Sequence, residues 1–360
     1  MIFDVCALLF WQVKAGPAAE KPGHLVVHVG LHKTATTSTQ RLLAECKILV
    51  ESTYPSLRVA AGGKHGADVP NSLMAGGCQP YPTPNPGHVD TERMNDIVAK
   101  IRRDVADNKT VVLSAEDFDR TGTRCFKQLL RTIDPGRSTA VVVVRDAVSW
   151  LRSYYEEIAC GKVTFGDWLV KESAGLIASA PDTLARVQAV FDDVQVASLD
   201  HLLEVGNTVA SFLICNASFE LASDAWSTCA KTIDAKFTHS NPTTTSMLEC
   251  DLEPLARALT LARGCEMINP KREQIEALAA RLATTCYEND HNATSYFGAL
   301  LEPTWRAWLE NVLPPSHLPA PRHAEHICLV DVARLSKADV RAILQVFLGQ
   351  CESGVAAAAS

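Results

Sequence analysis

The sequence predicts an α/β fold in which a central parallel sheet is flanked by helices, followed by a helical C-terminal part. Three observations predict it. Short apolar runs bounded by glycine or polar residues recur through the first half of the chain. Stretches of helical period separate these runs, as in chains that alternate strand and helix. The 360 residues are ample to bury a core without a metal or disulfide staple.

Leu25-Val-Val-His-Val-Gly30 reads as a short buried strand. The segment Leu31 to Thr37 follows as a tight loop, and Ser38 to Val50 as a helix with Leu42, Leu43 and Cys46 on one face. The Pro/Gly-rich stretch from about Tyr54 to His88 reads as a surface excursion, because its alternating prolines fit neither helix nor sheet centre. Helical period returns over Thr91 to Asp107. Strand Val111 to Leu113, helix Arg124 to Ile133 and strand Ala140 to Val144 come next. Helix Val148 to Cys160 and a strand-like run, Val194 to Leu199, complete the alternation. Beyond Thr232 the pattern is helical, and Ser336 to Asp339 resembles a capping arrangement ahead of Val340 to Leu348. The expected organisation is an N-terminal segment, 1–22, with no assigned role, one domain over 23–350, and a flexible tail over 351–360.

A formal net charge of −7 disfavours a general nucleic-acid binder but leaves room for a local pocket for one anion. No apolar stretch reaches the roughly 18 residues of a spanning helix. Residues 2–13 are apolar but contain Asp4 and lack the basic start of a signal peptide. The 12 cysteines show no CxxC pair, so structural zinc is not expected. The sequons at Asn108, Asn216 and Asn292 matter only in a secretory lumen. The cytoplasm is favoured, with the secretory-pathway lumen as the alternative.

The informative motif is Gly30-Leu-His-Lys33-Thr-Ala-Thr36-Thr37. A loop between a strand end and a helix start gathers backbone N–H groups at the positive end of the helix dipole, which suits an anion. Lys33 adds a full charge, the hydroxyls of Thr34, Thr36 and Thr37 add donors, and Gly30 allows a close turn. It is not a Walker A loop, since no second glycine precedes Lys33. The alternative is an ordinary threonine-rich turn with a solvated lysine.

His28 to Gln40 resembles the 5′-phosphosulfate-binding loop of the sulfotransferases that use 3′-phosphoadenosine 5′-phosphosulfate (PAPS), with Ala35 where that family usually has glycine. Arg145 at a strand end, with Ser153 about two helical turns on, is similar to the family's 3′-phosphate-binding segment. Ala147 stands where that segment often has proline. The resemblance implies a P-loop NTPase-like sulfotransferase fold of the carbohydrate or bacterial type. It also implies PAPS as co-substrate, 3′-phosphoadenosine 5′-phosphate (PAP) as product, and no metal. Gly30, His32, Lys33, Thr34, Ala35, Thr36, Thr37, Arg145 and Ser153 would hold the nucleotide, and Lys33 would neutralise the leaving phosphate oxygen.

Sulfuryl transfer to a hydroxyl, or secondarily an amine, also asks for a base. Glu116, just after a strand and in a Ser-x-Glu stretch similar to one in carbohydrate-acting members, is the first choice. His65, in a glycine-rich loop, is the second, and His32 the third. His317, His323 and His326 read as a solvated connector rather than a metal site. The expected partner is a glycan or small-molecule acceptor, with no nucleic acid and no firm sign of a membrane. Lys64, Arg93, Arg102 and Arg103 would attract an anionic glycan, and Tyr81 or Trp150 would stack on a ring. The bland alternatives are a wet helix face and core aromatics. A small-molecule kinase and a non-catalytic nucleotide-binding relative are the competing functions.

Overall fold

The computed structural model describes residues 23–53, 55–60, 91–206, 208–217, 247–261, 265–268, 270–282, 284–286, 302–319, 328–330 and 334–351. A five-stranded parallel sheet is built from β1 (His24–Gly30), β2 (Leu57–Ala60), β3 (Thr110–Ala115), β4 (Arg137–Val144) and β5 (Asp193–Ser198). Its spatial order is β2-β3-β1-β4-β5. The chain leaves β1 toward β2 on one side, and leaves β4 toward β5 on the other. The two connections diverge between β1 and β4, which makes the crevice at their carboxyl ends the topological switch point.

The strands form where apolar runs can be buried on both faces. Leu25, Val26, Val27 and Val29 of β1 and Val141 to Val144 of β4 are all inaccessible to solvent. On one face, Val26, Val112, Val141 and Val143 pack with Leu42, Leu43, Cys46 and Val50 of α1 (Thr36–Thr53). α2 (Thr91–Ala106) and α3 (Thr123–Ile133) follow β2 and β3 in the chain. Phe126 of α3 contacts Phe118 and Phe191, with ring centroids 5.8 and 5.3 Å apart. α3 stops at Asp134, whose left-handed backbone lets its N–H bond the carbonyl of Leu130.

After β4 come α4 (Ala147–Ile158) and the long α5 (Phe165–Gln188), and after β5 come α6 (Leu199–Glu204) and α7 (Val209–Ala217). The described C-terminal elements are α8 (Met247–Leu261), β6 (Cys265–Met267), α9 (Arg272–Ala279), β7 (Thr284–Cys286), α10 (Glu302–Val312), β8 (Cys328–Val330), α11 (Lys337–Phe347) and β9 (Leu348–Cys351). The helical expectation beyond Thr232 therefore needs correcting. Two antiparallel pairs, β6 with β9 and β7 with β8, stand among those helices. Ser336 and Asp339 do cap α11. Asp339 Oδ2 accepts from the Ser336 N–H and hydroxyl, and the Asp339 N–H donates to Ser336 Oγ.

Two compact units result, dividing at Arg145/Asp146 and at Ser179. The first holds the sheet, α1 to α3, the end of α5, α6 and α7. The second holds α4, the first part of α5, α8, α9, most of α10, α11 and the antiparallel pairs. Its core joins Leu252, Ala256, Leu278, Ile343 and Phe347. An aromatic group of Tyr155, Phe165 and Trp168 packs within it, with Tyr155 centroids 5.1 and 5.5 Å from the other two. No described helix is long and apolar enough to cross a membrane.

A disulfide joins Cys160, just past α4, to Cys250 of α8, across a sequence separation of 90. Closing a loop of that length in the unfolded chain is worth about 4.6 kcal/mol. Reduction, or Cys160→Ser, is therefore expected to lower the melting temperature markedly. Thermal melts with and without reductant check this, and equal melts would show that the bridge contributes nothing.

Candidate functional site

The site begins where β1 gives way to α1. A Cβ built on Gly30 would lie 2.2 Å from Thr36 Oγ1, so only glycine lets the strand end pass this close to the helix start. Buried Leu31 anchors the loop from below. Thr34, itself fully buried, closes the loop by donating to the Leu31 carbonyl through its N–H at 3.2 Å and its hydroxyl at 2.6 Å. The Thr34 hydroxyl is thus engaged inside the loop.

Lys33 and Ala35 both adopt left-handed backbone, with φ of 68° and 63°. Within this turn the His32 N–H bonds Asp119 Oδ2 and the Thr34 N–H bonds the Leu31 carbonyl, so the N–H groups suited to an anion are those at the start of the helix. The Ala35 carbonyl then starts the helix, accepting from the N–H and the hydroxyl of Thr39, each at 2.9 Å. The first turn of α1 adds N–H groups that have no acceptor within the helix, and it carries no acidic residue to compete for them. Thr36 Oγ1 is buried and has no hydrogen-bond partner among the described residues. Thr37 and Lys33 are half-buried.

The neighbouring turn belongs to β4. β1 and β4 pair in parallel, with Gly30 opposite Val143, so their carboxyl ends emerge side by side. Arg145 follows β4, is half-buried, and donates from Nη1 to the Lys33 carbonyl at 3.4 Å. The two cations predicted to grip one nucleotide thus stand on adjoining turns at the switch point. Asp146, the next residue, accepts from the Ser149 N–H at 3.0 Å and caps α4. Ser153 lies on α4, within the second unit.

β3 supplies the third edge. Glu116 opens a short 3₁₀ turn, Glu116–Arg120, directly after the strand. Its side chain lies outside the described residues, as does the whole of His65. The turn also delivers Asp119, which sequence reasoning missed. Asp119 Oδ2 accepts from the His32 N–H at 3.2 Å and lies 2.6 Å from His32 Nδ1. The only local hint was its place in the acidic run after the strand; its partner is 87 positions away.

Beneath the loop, His28 Nδ1 and Ser114 Oγ share a hydrogen bond at 2.8 Å, and Gln40 Nε2 donates to the Ser114 carbonyl at 3.4 Å. Complete burial lowers the His28 pKa to about 3. His24 is lowered to about 4, first by burial and then by Arg137. Among the other candidates, Arg102 and Arg103 are exposed on α2 and line a shallow groove with Thr132. Trp150 is buried and stacks on Trp305 at 5.0 Å, a core position in the second unit. Lys64, Tyr81, His323, His326 and the Arg93 side chain lie outside the described residues. His317 stacks on His201 at 4.4 Å, and its pKa is lowered by burial and then by His201. No group of three potential metal ligands occurs among the described residues. Compared with models of known protein families and with curated proteins, the chain matches none.

Three predictions test the loop and its support. Ala35→Gly removes a left-handed penalty of about 1–2 kcal/mol while adding freedom to the unfolded chain, so denaturant unfolding is expected to show a net gain of about 0.5–1 kcal/mol. Gly30→Ala, which must displace Thr36, is expected to cost about 2 kcal/mol in the same measurement. For pH, His28 and His24 are neutral when folded and take up protons at their ordinary pKa, 6.5, when unfolded. The unfolded chain therefore binds more protons below pH 6.5, and stability falls as pH drops from 6.5 toward 4. Each histidine contributes up to about 1.4 kcal/mol per pH unit. His28→Gln is expected to flatten this slope, and an unchanged slope would contradict the assignment.

Proposed function

We propose that this protein is a PAPS-dependent sulfotransferase with a P-loop NTPase-like fold, acting on a hydroxyl of a carbohydrate or small natural product. The single observation that carries the reading is the contact between the Arg145 guanidinium and the carbonyl of Lys33 at the β1/β4 crevice. A donor with phosphate groups at two positions asks for two cationic turns within one nucleotide's reach.

In this reading the left-handed loop and the first turn of α1 bind the 5′-phosphosulfate, with Thr36 Oγ1 and Thr37 as further donors. Arg145 binds the 3′-phosphate through its forked, permanently charged donor set. Lys33 meets the charge that develops on the bridging oxygen as sulfur departs. Catalysis is then alignment and charge stabilisation, steps that call on no metal. The Cys160–Cys250 bridge supports an oxidising compartment over the cytoplasm favoured from the sequence.

Titration calorimetry tests the reading. PAP is expected to bind without Mg²⁺, and more tightly than ATP or an adenosine 5′-phosphate lacking the 3′-phosphate. Arg145→Ala should weaken PAP by about 100-fold, as expected for a charge-assisted pair. Lys33→Ala should lower turnover by about 100-fold or more while lowering PAP affinity less. Equal affinity for ATP and PAP would favour a nucleotide-dependent kinase. Tight PAP binding with no transfer would favour a non-catalytic relative.

A further inference from the structure

His32 and Asp119 come from distant parts of the chain and meet beside Lys33. One carboxylate oxygen, Asp119 Oδ2, receives the His32 backbone N–H at 3.2 Å and faces the ring Nδ1 at 2.6 Å. Neither side chain is sealed off, with 15% of His32 and 13% of Asp119 exposed. Asp119 is held from behind, where its carbonyl accepts from Thr183 Oγ1 at 3.1 Å and from Arg186 Nη2. Its second oxygen, Oδ1, is buried with no hydrogen-bond partner among the described residues.

A carboxylate at Nδ1 fixes the ring's orientation and assigns the proton to that nitrogen, which leaves the lone pair on Nε2. The same device orients the basic imidazole of hydrolytic triads. Resting on the sulfuryl-transfer reading, we infer that His32 is the catalytic base of the reaction and Asp119 the residue that positions it. The acceptor hydroxyl oxygen attacks sulfur and its proton passes to His32 Nε2. The new O–S bond forms as the bond from sulfur to the bridging phosphate oxygen breaks. The electron pair leaves on that oxygen, beside Lys33, giving the sulfate ester and PAP. Asp119 holds the ring in place, and the imidazolium then returns its proton to solvent. The base thereby belongs to the phosphate loop itself, and the role expected of Glu116 and His65 passes to His32. Other charged residues on the elements meeting here are Lys33, Arg145, Glu116, Asp117, Arg120 and Arg186.

The test uses the full chain, PAP for binding, and radiolabelled PAPS for transfer to water and to a panel of sugars and phenols. In the PAP complex, nitrogen NMR of labelled histidine is expected to show His32 protonated at Nδ1. Asp119→Asn is expected to keep PAP affinity within about threefold, and Asp119→Asn and His32→Gln are each expected to lower PAPS turnover by about 100-fold, beyond any loss of PAP affinity. The acidic limb of the pH–rate profile should shift in Asp119→Asn and vanish in His32→Gln. Asp119→Glu should restore part of the rate, which a merely structural defect would not do. A proton at Nε2, turnover of either variant within threefold of wild type, or PAP binding without PAPS turnover in the wild type would each overturn the assignment. Failure of the wild type to bind PAP at all is a separate result, and it removes the sulfotransferase reading beneath it.

Discussion

The close passage of Gly30 against Thr36 is the constraint on which the rest depends. A buried strand must turn into a buried helix within a handful of residues, and it does so through left-handed Lys33 and Ala35. Each such residue costs about 1–2 kcal/mol, so the turn persists only because both flanking elements are firmly packed. β1 is buried along its length, and α1 seats Leu42, Leu43, Cys46 and Val50 on the sheet. The left-handed backbone of Lys33 and Ala35 and the burial of the Thr36 hydroxyl both follow from that geometry. A core built mostly of valine and leucine thus supports a loop that would not hold its shape alone.

Strand order turns one loop into a site. Because β1 sits between β3 and β4, both neighbouring turns open onto it. Arg145 arrives from one side and touches the Lys33 carbonyl, while Asp119 arrives from the other and takes His32. The chain as a whole is acidic, at −7, yet this edge gathers two cations and a helix N-terminus. Net charge describes solubility and long-range encounter, and a pocket a few residues wide escapes it.

Where a signal was local, the sequence carried it. Val111 to Leu113 and Ala140 to Val144 read as strands because unbroken apolar runs fit a sheet covered on both faces. Ser336 and Asp339 read as a cap because both partners lie within one helical turn. Lys33 and Arg145 stood out because each sits at a strand-to-helix junction. What was missed is non-local or short. β2, taken as the start of a surface excursion, is a strand only through pairing with β3, and Arg58 interrupts its apolar pattern. Asp119, the Cys160–Cys250 bridge and the β6–β9 pair each join segments far apart in sequence, a relation that no window of residues contains. α5 was passed over because small residues and Pro181 blur its period.

Ala35 shows how the loop balances cost against order. Glycine would enter its left-handed backbone without penalty, but it would also give the chain more conformations to lose on folding. The alanine methyl narrows that freedom, and its side chain packs against the core cluster that holds α1. Strain is therefore accepted at a position where the surrounding core overrides it, and a loop formed before the ligand arrives spends less binding energy on ordering. The same economy applies to His32, whose ring and backbone are both tied to one carboxylate of the next turn. The sulfuryl transfer we propose would depend on alignment more than on covalent assistance, and at this edge the ordering is supplied by folding itself.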